Sequence, residues 1–437
     1  MTSPASQSNA SHYVMSMVII GILFSIFGFV TWLNGSLILF VKVGFNLDNV
    51  TAFFIPFAFY VSYFVLALPS ALILKRTGMK KGMALGLLVM AIGSVVFAQC
   101  MGLYSYPGVL AGLFVIGAGL AILQTAANPY VSILGPIESG AKRVAIMGIC
   151  NKAAGALAPY VIGALLLSGI TAYAARIEAT TSIEAREALQ HAFVARAYLP
   201  YLVMAAVLAI LAVWVMFSPL PEIRPANDAH AEAGKASQRS IFSFPHLWLG
   251  AVCLFVYVGM EVMAGDTIVP YGQALGLPLD AVKHFTAYTM AAMLVGYVLG
   301  FLLIPRFISQ QAYLALSAVL GVLLTVAAWA THGYASVGFV AALGFANAMM
   351  WPAIFPLGIK GLGKHTEFGS ALLIMGIAGG GVIPQLFAHL TRTIPMQLAF
   401  LLVMVPGYLY ILFYGLIGHR VGQPREAGTA GPAVAES

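Results

Sequence analysis

The chain has 437 residues, of which 61% are hydrophobic and only 8% are charged. A typical soluble domain carries about 25% charged residues, so this composition excludes a water-soluble globular protein. A helix needs about 20 apolar residues to cross the hydrocarbon layer of a membrane, and the length therefore holds about a dozen such helices. The net charge of +7 does not indicate a nucleic-acid partner, because the Lys and Arg residues lie in short loops rather than on one solvated face.

Twelve apolar runs, separated by charged residues and by Pro or Gly turns, predict an all-α integral membrane protein with twelve transmembrane helices, called spans 1 to 12. In chain order, the predicted spans cover residues 14–41, 51–74, 82–101, 108–134, 144–169, 194–218, 246–272, 282–304, 312–331, 335–360, 367–390 and 396–418. The segment from Ala172 to Arg196 carries mixed charges and predicts a short surface helix before span 6.

Three polar segments divide the chain. Residues 1–13 predict a cytoplasmic N-terminal tail, residues 219–245 a cytoplasmic linker, and residues 421–437, rich in Gly, Ala and Pro, a disordered cytoplasmic tail. They leave two bundles of six spans each, 14–218 and 246–420. The loops on the side of both termini hold fourteen of the 21 Lys and Arg residues and the opposite loops hold six, so the positive-inside rule places both termini in the cytoplasm.

The two halves also resemble each other in sequence. When they are overlaid, Gly155 of span 5 falls on Gly380 of span 11, and Gly35 of span 1 falls on Asp266 of span 7. Each match is weak alone, but together with the central linker the matches indicate two pseudo-symmetric six-helix bundles. Many secondary transporters have this architecture and hold their ligand between the halves, near the middle of the membrane.

Motifs of common enzymes are absent from the sequence. It contains no GxxxxGK[ST] phosphate loop, no HExxH metal motif and no GxSxG nucleophile motif, which argues against ATP-driven transport and hydrolysis within this chain. The three cysteines lie inside apolar runs without metal-ligand spacing, which is typical of core residues. We therefore expect no enzyme activity, no catalytic residue, no metal and no cofactor.

Charged residues inside the spans are the main functional candidates, because such groups are unfavourable in hydrocarbon and usually face a protein interior or a water cavity. Glu261 and Asp266 of span 7 are the candidate proton-coupling residues, with Glu261 as the main carrier. Five residues correspond to about 140° of net helical rotation, so both point to one place only if the helix bends near Gly265. The alternative is a structural carboxylate. Lys152 of span 5 either pairs with one of these carboxylates or extends to the cytoplasmic surface.

Neutral polar residues inside the spans mark the candidate substrate site. Asn and Gln offer both donors and acceptors, which suits a polyhydroxylated ligand, and aromatic rings can stack on a sugar. The same side chains can instead bind helices to one another. The predicted substrate-binding residues are Trp32, Asn34, Gln124, Asn128, Asn151, Lys152, Tyr257, Glu261, Asn347 and Trp351.

The run from Gly117 to Pro136 in span 4, with Gln124-Thr-Ala-Ala-Asn128-Pro at its centre, closely resembles the signature of the fucose/galactose/glucose–proton symporter family of the major facilitator superfamily. The resemblance extends over all twelve spans. It implies the major facilitator fold, alternating access and proton-coupled monosaccharide uptake across a bacterial inner membrane. It also implies a monosaccharide, protons and membrane lipid as partners of a monomer.

Three departures from the family pattern concern proton coupling and substrate binding. Gln124 stands where the family has a glutamate, Gly35 where it has an aspartate, and Gly148 where it has a glutamine. Both family carboxylates are thus missing, and we expect the proton-carrying acid to have moved to span 7. The Trp-Leu-Asn-Gly motif and the motif around Glu261 and Asp266 are more similar to the N-acetylglucosamine and hexose members than to the fucose members.

The loop between spans 2 and 3 resembles a degenerate form of the facilitator gating motif. Its candidate gating residues are Lys75, Arg76, Lys80 and Lys81, which could also be merely a positive-inside loop. The sequence therefore predicts an importer of N-acetylglucosamine or of a hexose such as glucose, galactose or mannose by proton symport. The alternatives are a facilitative uniporter, which the lost carboxylates favour, and a membrane-embedded receptor or enzyme that only binds a sugar.

Overall fold

The computed structural model describes residues 4–134, 140–222, 240–304 and 306–423. Within these ranges twelve helical segments are long and apolar enough to cross a membrane. This confirms the predicted all-α fold with twelve spans. Parts of the predicted linker (223–239), of the C-terminal tail (424–437) and of the N-terminal tail (1–3) lie outside the described residues, as do Gly135 and Pro136 of the span 4 signature.

The helices follow the predicted order. Spans 1 to 6 comprise Pro4–Thr31 with Asn34–Gly44, Asn49–Ala52 with Phe54–Thr77, Met79–Gly102, Tyr106–Ile133, Gly140–Leu165 and Tyr198–Phe217. Spans 7 to 12 comprise Pro245–Gly265 with Ile268–Ala274, Leu279–Val282 with Phe285–Leu303, Gln310–Ala330, Gly333–Asn347 with Met350–Ile359, Thr366–Met375 with Gly379–Leu390, and Met396–Leu416. Two helices, Ile170–Ala179 and Ile183–Val194, occupy the segment predicted as one short surface helix.

The helices differ from the predicted spans in several details. The first helix begins at Pro4, before the predicted start of span 1 at residue 14, and its membrane-spanning part begins at Tyr13. Spans 1, 7 and 10 are each interrupted by two residues, and only in span 7 did the sequence suggest a bend, near Gly265. In span 1 the Asn34 side-chain amide donates to the Thr31 carbonyl oxygen at 3.1 Å and so competes with the helical hydrogen bonds. In span 7 the break follows Gly265 and precedes Pro270, a pair of residues that weakens a helix.

The halves pack as two bundles that meet along a seam. Span 5 packs against span 8, and span 2 packs against span 11, so each bundle contributes two helices to these contacts. The second part of span 1 lies beside the second part of span 7. The seam therefore places residues of spans 1, 2 and 5 opposite residues of spans 7, 8 and 11, where a ligand held between halves would lie.

Within each bundle, small residues let the helices approach closely, since membrane helices associate by packing rather than by the hydrophobic effect. Gly119 of span 4 is an example, because an added Cβ atom there would lie 2.5 Å from the Gly86 carbonyl oxygen of span 3. Gly338 of span 10, in contrast, has room for a side chain, because nothing lies within 4 Å of an added Cβ atom there.

We predict that Gly119→Ala lowers the free energy of unfolding in detergent by about 1–3 kcal/mol, the usual effect of overpacking against backbone. Gly338→Ala is the matched control, and we expect it to be neutral or slightly stabilising because alanine favours the helix. Thermal unfolding of both purified variants measures the difference. Equal midpoints for the two variants would contradict the close approach of spans 3 and 4.

Candidate functional site

A buried ion pair connects the two bundles. The Lys152 Nζ of span 5 donates to the Glu261 Oε1 of span 7 at 2.7 Å. The side chains are only 8% and 11% exposed, so each charge is compensated mainly by the other. Of the two possibilities that the sequence left open for Lys152, the structure shows pairing rather than extension to the surface.

The Trp32 ring lies against this ion pair. The Lys152 Nζ lies 4.7 Å from the centroid of the Trp32 ring, within the range of a cation–π interaction. Trp32 lies at the break in span 1 and is 2% exposed. Two glycines, Gly155 of span 5 and Gly265 of span 7, leave the space that the indole ring fills, because a Cβ atom on either would collide with it.

Tyr257 and Asn347 lie on the other side of the pair. Tyr257 is fully buried one helical turn before Glu261, and its hydroxyl lies beside the carboxylate without a hydrogen bond of normal geometry. Asn347 accepts a hydrogen bond from the Tyr408 hydroxyl at 2.9 Å and donates to the Met260 carbonyl oxygen at 3.5 Å. Asn347 thus connects spans 7, 10 and 12 and fixes the segment that carries Glu261.

Asp266 lies in a different environment from Glu261. Its side chain is completely buried, and neither carboxyl oxygen has a hydrogen bond of normal geometry among the described residues, although the Gly35 backbone N–H lies beside them. The neighbouring group is Gly35 of the other bundle, where an added Cβ atom would lie 3.0 Å from the Asp266 Oδ1. The Thr286 hydroxyl of span 8 is also next to Gly35 and also lacks a described partner.

Two of the predicted amide side chains form hydrogen bonds within the first bundle. The Gln124 Nε2 donates to the Tyr63 hydroxyl at 2.9 Å and so joins span 4 to span 2. Asn34 is 1% exposed and is held by its bond to Thr31. Asn34 also borders a small, mainly apolar cavity between spans 1, 2, 4 and 6.

Three other predicted substrate-binding residues have partly exposed side chains. Asn128 and Asn151 are half-buried, and the backbone of Asn151 contacts Gly28 of span 1 so closely that Gly28 has no room for a side chain. Trp351 stacks on Phe355 of its own helix with ring centroids 5.8 Å apart. The structure therefore brings Trp32, Lys152, Tyr257 and Glu261 together around the ion pair.

The basic loop between spans 2 and 3 contacts the end of span 6. The Lys80 Nζ donates to the Ser218 carbonyl oxygen at 2.7 Å, and the Lys80 backbone N–H donates to Glu222 Oε1 at 3.1 Å. Gly78 begins the loop with φ +81°, and a side chain there would collide with the Glu222 carboxylate. Lys75, Arg76 and Lys81 are exposed. Glu222 was not among the predicted residues, because nothing in its local sequence marks it.

The opposite end of the molecule carries polar contacts between the bundles that the sequence did not reveal. We call their residues the closing cluster: Lys42 donates to Gln273 at 3.3 Å, Thr171 donates to Asp280 at 2.7 Å, and Arg392 pairs with Asp48 at 2.8 Å. Hydrogen bonds from Thr51 and Arg392 lower the pKa of Asp48 to about 2, so this pair remains ionised at ordinary pH. The closing cluster joins the bundles at this end.

Comparison with known proteins agrees with this fold. Residues 18–385 match the sequence profile of the Major Facilitator Superfamily. A protein of Brucella abortus named glucose/galactose transporter is 34% identical over 422 residues, which is 96% of this chain and 97% of that protein. The L-fucose-proton symporter of Escherichia coli K12 is 30% identical over 387 residues, which is 87% of each chain. The resemblance that span 4 indicated is thereby confirmed.

A solved structure shows the same architecture. The crystal structure of the Major Facilitator Superfamily transporter FucP in the outward conformation has a TM-score of 0.73 and 26% sequence identity. The match covers 92% of this chain and 98% of that chain. The predicted arrangement of two six-helix bundles is therefore confirmed.

We predict that Lys152→Gln and Glu261→Gln, made singly, each lower the free energy of unfolding by about 3–5 kcal/mol, because each leaves an uncompensated buried charge. The double variant has no buried charge at this position and should recover most of that loss. Thermal unfolding in detergent of the four proteins, analysed as a double-mutant cycle, measures the coupling. Additive losses in the double variant would contradict the ion pair.

Proposed function

The chain belongs to the Major Facilitator Superfamily, and we propose that it is a secondary transporter that imports a monosaccharide together with protons. Its fold and its relatives are those of transporters rather than enzymes. The names of two relatives, a glucose/galactose transporter and an L-fucose-proton symporter, support the sugar and the proton. The proposed substrates are N-acetylglucosamine and hexoses such as glucose, galactose or mannose.

The observation that carries this proposal is the buried Lys152–Glu261 pair, which lies across the seam against Trp32. A sugar hydroxyl can accept a hydrogen bond from an ammonium group and donate one to a carboxylate. The apolar face of a sugar ring can rest on an indole. A monosaccharide entering the seam would thus find a donor, an acceptor and a stacking surface from both bundles.

The other candidate residues support this site or its access. The remaining predicted substrate-binding residues would shape the binding region: Asn34, Gln124, Asn128, Asn151, Asn347, Tyr257 and Trp351. The proposed proton-coupling groups are Glu261 and Asp266. Lys75, Arg76, Lys80 and Lys81 would control the end of the molecule at which Lys80 binds span 6.

Alternating access requires each end to open in turn. With the positive-inside rule, the closing cluster lies at the periplasmic end, and both termini lie in the cytoplasm. The arrangement described here would then be a state closed to the outside, complementary to the outward conformation of FucP. We propose the bacterial inner membrane as the location and a monomer as the transporting unit.

The test is uptake by purified protein in liposomes, with labelled N-acetylglucosamine, glucose, galactose, mannose and fucose. For one proton per sugar, each pH unit of an inward proton gradient supplies about 1.4 kcal/mol, which supports up to about tenfold accumulation. We expect accumulation of at least one hexose or N-acetylglucosamine, abolished by a protonophore. Equilibration without accumulation would indicate a uniporter, and the absence of any counterflow would indicate a receptor.

Binding to the seam can be tested with two tryptophans. We predict that Trp32→Ala raises the KM of sugar uptake about tenfold or more, because it removes an aromatic surface and exposes the Lys152 ammonium group. Trp329→Ala is the matched control, because Trp329 of span 9 is 46% exposed on the outer surface, and its KM should not change. Equal KM values for the two variants would place the sugar elsewhere.

A further inference from the structure

Asp266 is an unusual group for the inside of a protein. It has no exposed surface, and among the described residues its carboxyl oxygens have no cation and no hydrogen bond of normal geometry, only the neighbouring Gly35 backbone N–H. Glu261, five residues earlier on the same span, has Lys152 as its partner. The two acids of span 7 therefore lie in different environments. Any difference between their functional roles follows from this difference.

The groups that face Asp266 come from four elements. Span 1 contributes Gly35, span 8 contributes the Thr286 hydroxyl, and span 2 contributes the buried Tyr60 hydroxyl. Its own span contributes Glu261, whose negative charge is balanced by Lys152. None of these described neighbours is a cation that could compensate an ionised Asp266. An ionised carboxylate without such compensation is strongly unfavourable in this setting, whereas the protonated acid is neutral and tolerated.

The burial of Asp266 depends on the contact between the bundles. Gly35 and Asp266 meet across the seam, and seven residues further along the same two spans Lys42 donates to Gln273. Seven residues are about two helical turns, so both contacts lie on the same faces of spans 1 and 7. The seam between these faces is one continuous surface. When the closing cluster separates, the contact between Gly35 and Asp266 separates with it, and the carboxyl group is uncovered.

From this geometry we propose that Asp266 is the proton-binding group of the transporter, and that the end carrying the closing cluster closes only over its protonated form. Glu261 stays paired with Lys152 and serves substrate binding. This proposal rests on the proposed function of sugar and proton cotransport, and it narrows the pair of proton-coupling groups named there to Asp266. It assigns to Asp266 the coupling role that the sequence alone assigned mainly to Glu261.

The proposal also explains how the proton and the sugar would be linked. An outward-open carrier with an ionised Asp266 cannot close, because closure would bury an uncompensated charge. Binding of an external proton at Asp266 removes that charge and permits closure with the sugar inside. The proton then crosses with the sugar, and it leaves when the opposite end opens and water reaches the carboxyl group. One proton bound outside and released inside accompanies each closure.

The decisive variant is Asp266→Asn, which keeps the shape of the side chain and is neutral at every pH. We expect it to exchange internal for external sugar in counterflow at rates near those of the native protein. Under an inward proton gradient, however, its accumulation ratio should fall to about one, because no proton is carried. A second measurement raises the pH equally on both sides of the membrane. Above the pH at which Asp266 loses its proton, the counterflow rate of the native protein should fall about tenfold per pH unit. The rate of the variant should show no such decline.

Glu184→Gln is the control for loss of a carboxylate, since Glu184 is exposed on the helix Ile183–Val194, which packs against helices of the first bundle. It should keep both accumulation and the pH dependence of counterflow. If Asp266→Asn accumulates sugar as the native protein does, or if it loses counterflow as well, the proposal is overturned. Failure of the native protein to accumulate any sugar would instead overturn the proposed function itself.

Discussion

The unfavourable free energy of a charge in a dry, apolar interior is the constraint on which the rest of this molecule depends. Lys152 and Glu261 satisfy this constraint by forming an ion pair across the seam, with the Lys152 Nζ 2.7 Å from the Glu261 Oε1. The Trp32 ring lies against the ammonium group. Asp266 has no such partner among the described residues, and in the proposed mechanism it meets the same constraint by being neutral. The positions of the charged groups therefore determine which arrangement of the two bundles is allowed.

The breaks in the spans support this arrangement. Trp32 lies in the break of span 1, and Asp266 lies in the break of span 7. A continuous helix would separate Glu261 and Asp266 by about 140° around its axis. Although span 7 is interrupted at Asp266 and Thr267, the two acids still face different groups, Glu261 facing Lys152 and Asp266 facing Gly35. Irregular backbone in a membrane is tolerated where it is buried in protein, and here it lies at the seam.

Much of the fold could be predicted from the sequence, because twelve apolar runs and the loop charges directly reflect the membrane. The three intramembrane charges of the seam could also be identified, since such groups are rare in spans. The pairing of Lys152 with Glu261 could not be decided, because the two residues are 109 positions apart and composition gives no relative rotation of their helices. The closing cluster was missed for a related reason, since its members are ordinary polar residues near helix ends and in loops.

A transporter needs its substrate site and its proton site to be linked but separately occupied. In the proposed mechanism one short segment of span 7 carries both sites, with Glu261 paired with Lys152 and Asp266 facing span 1. A displacement of this segment when the bundles separate would move both acids together. The free energy of protonating Asp266 and the free energy of binding a sugar beside Glu261 are then linked through one backbone, without any contact between proton and sugar.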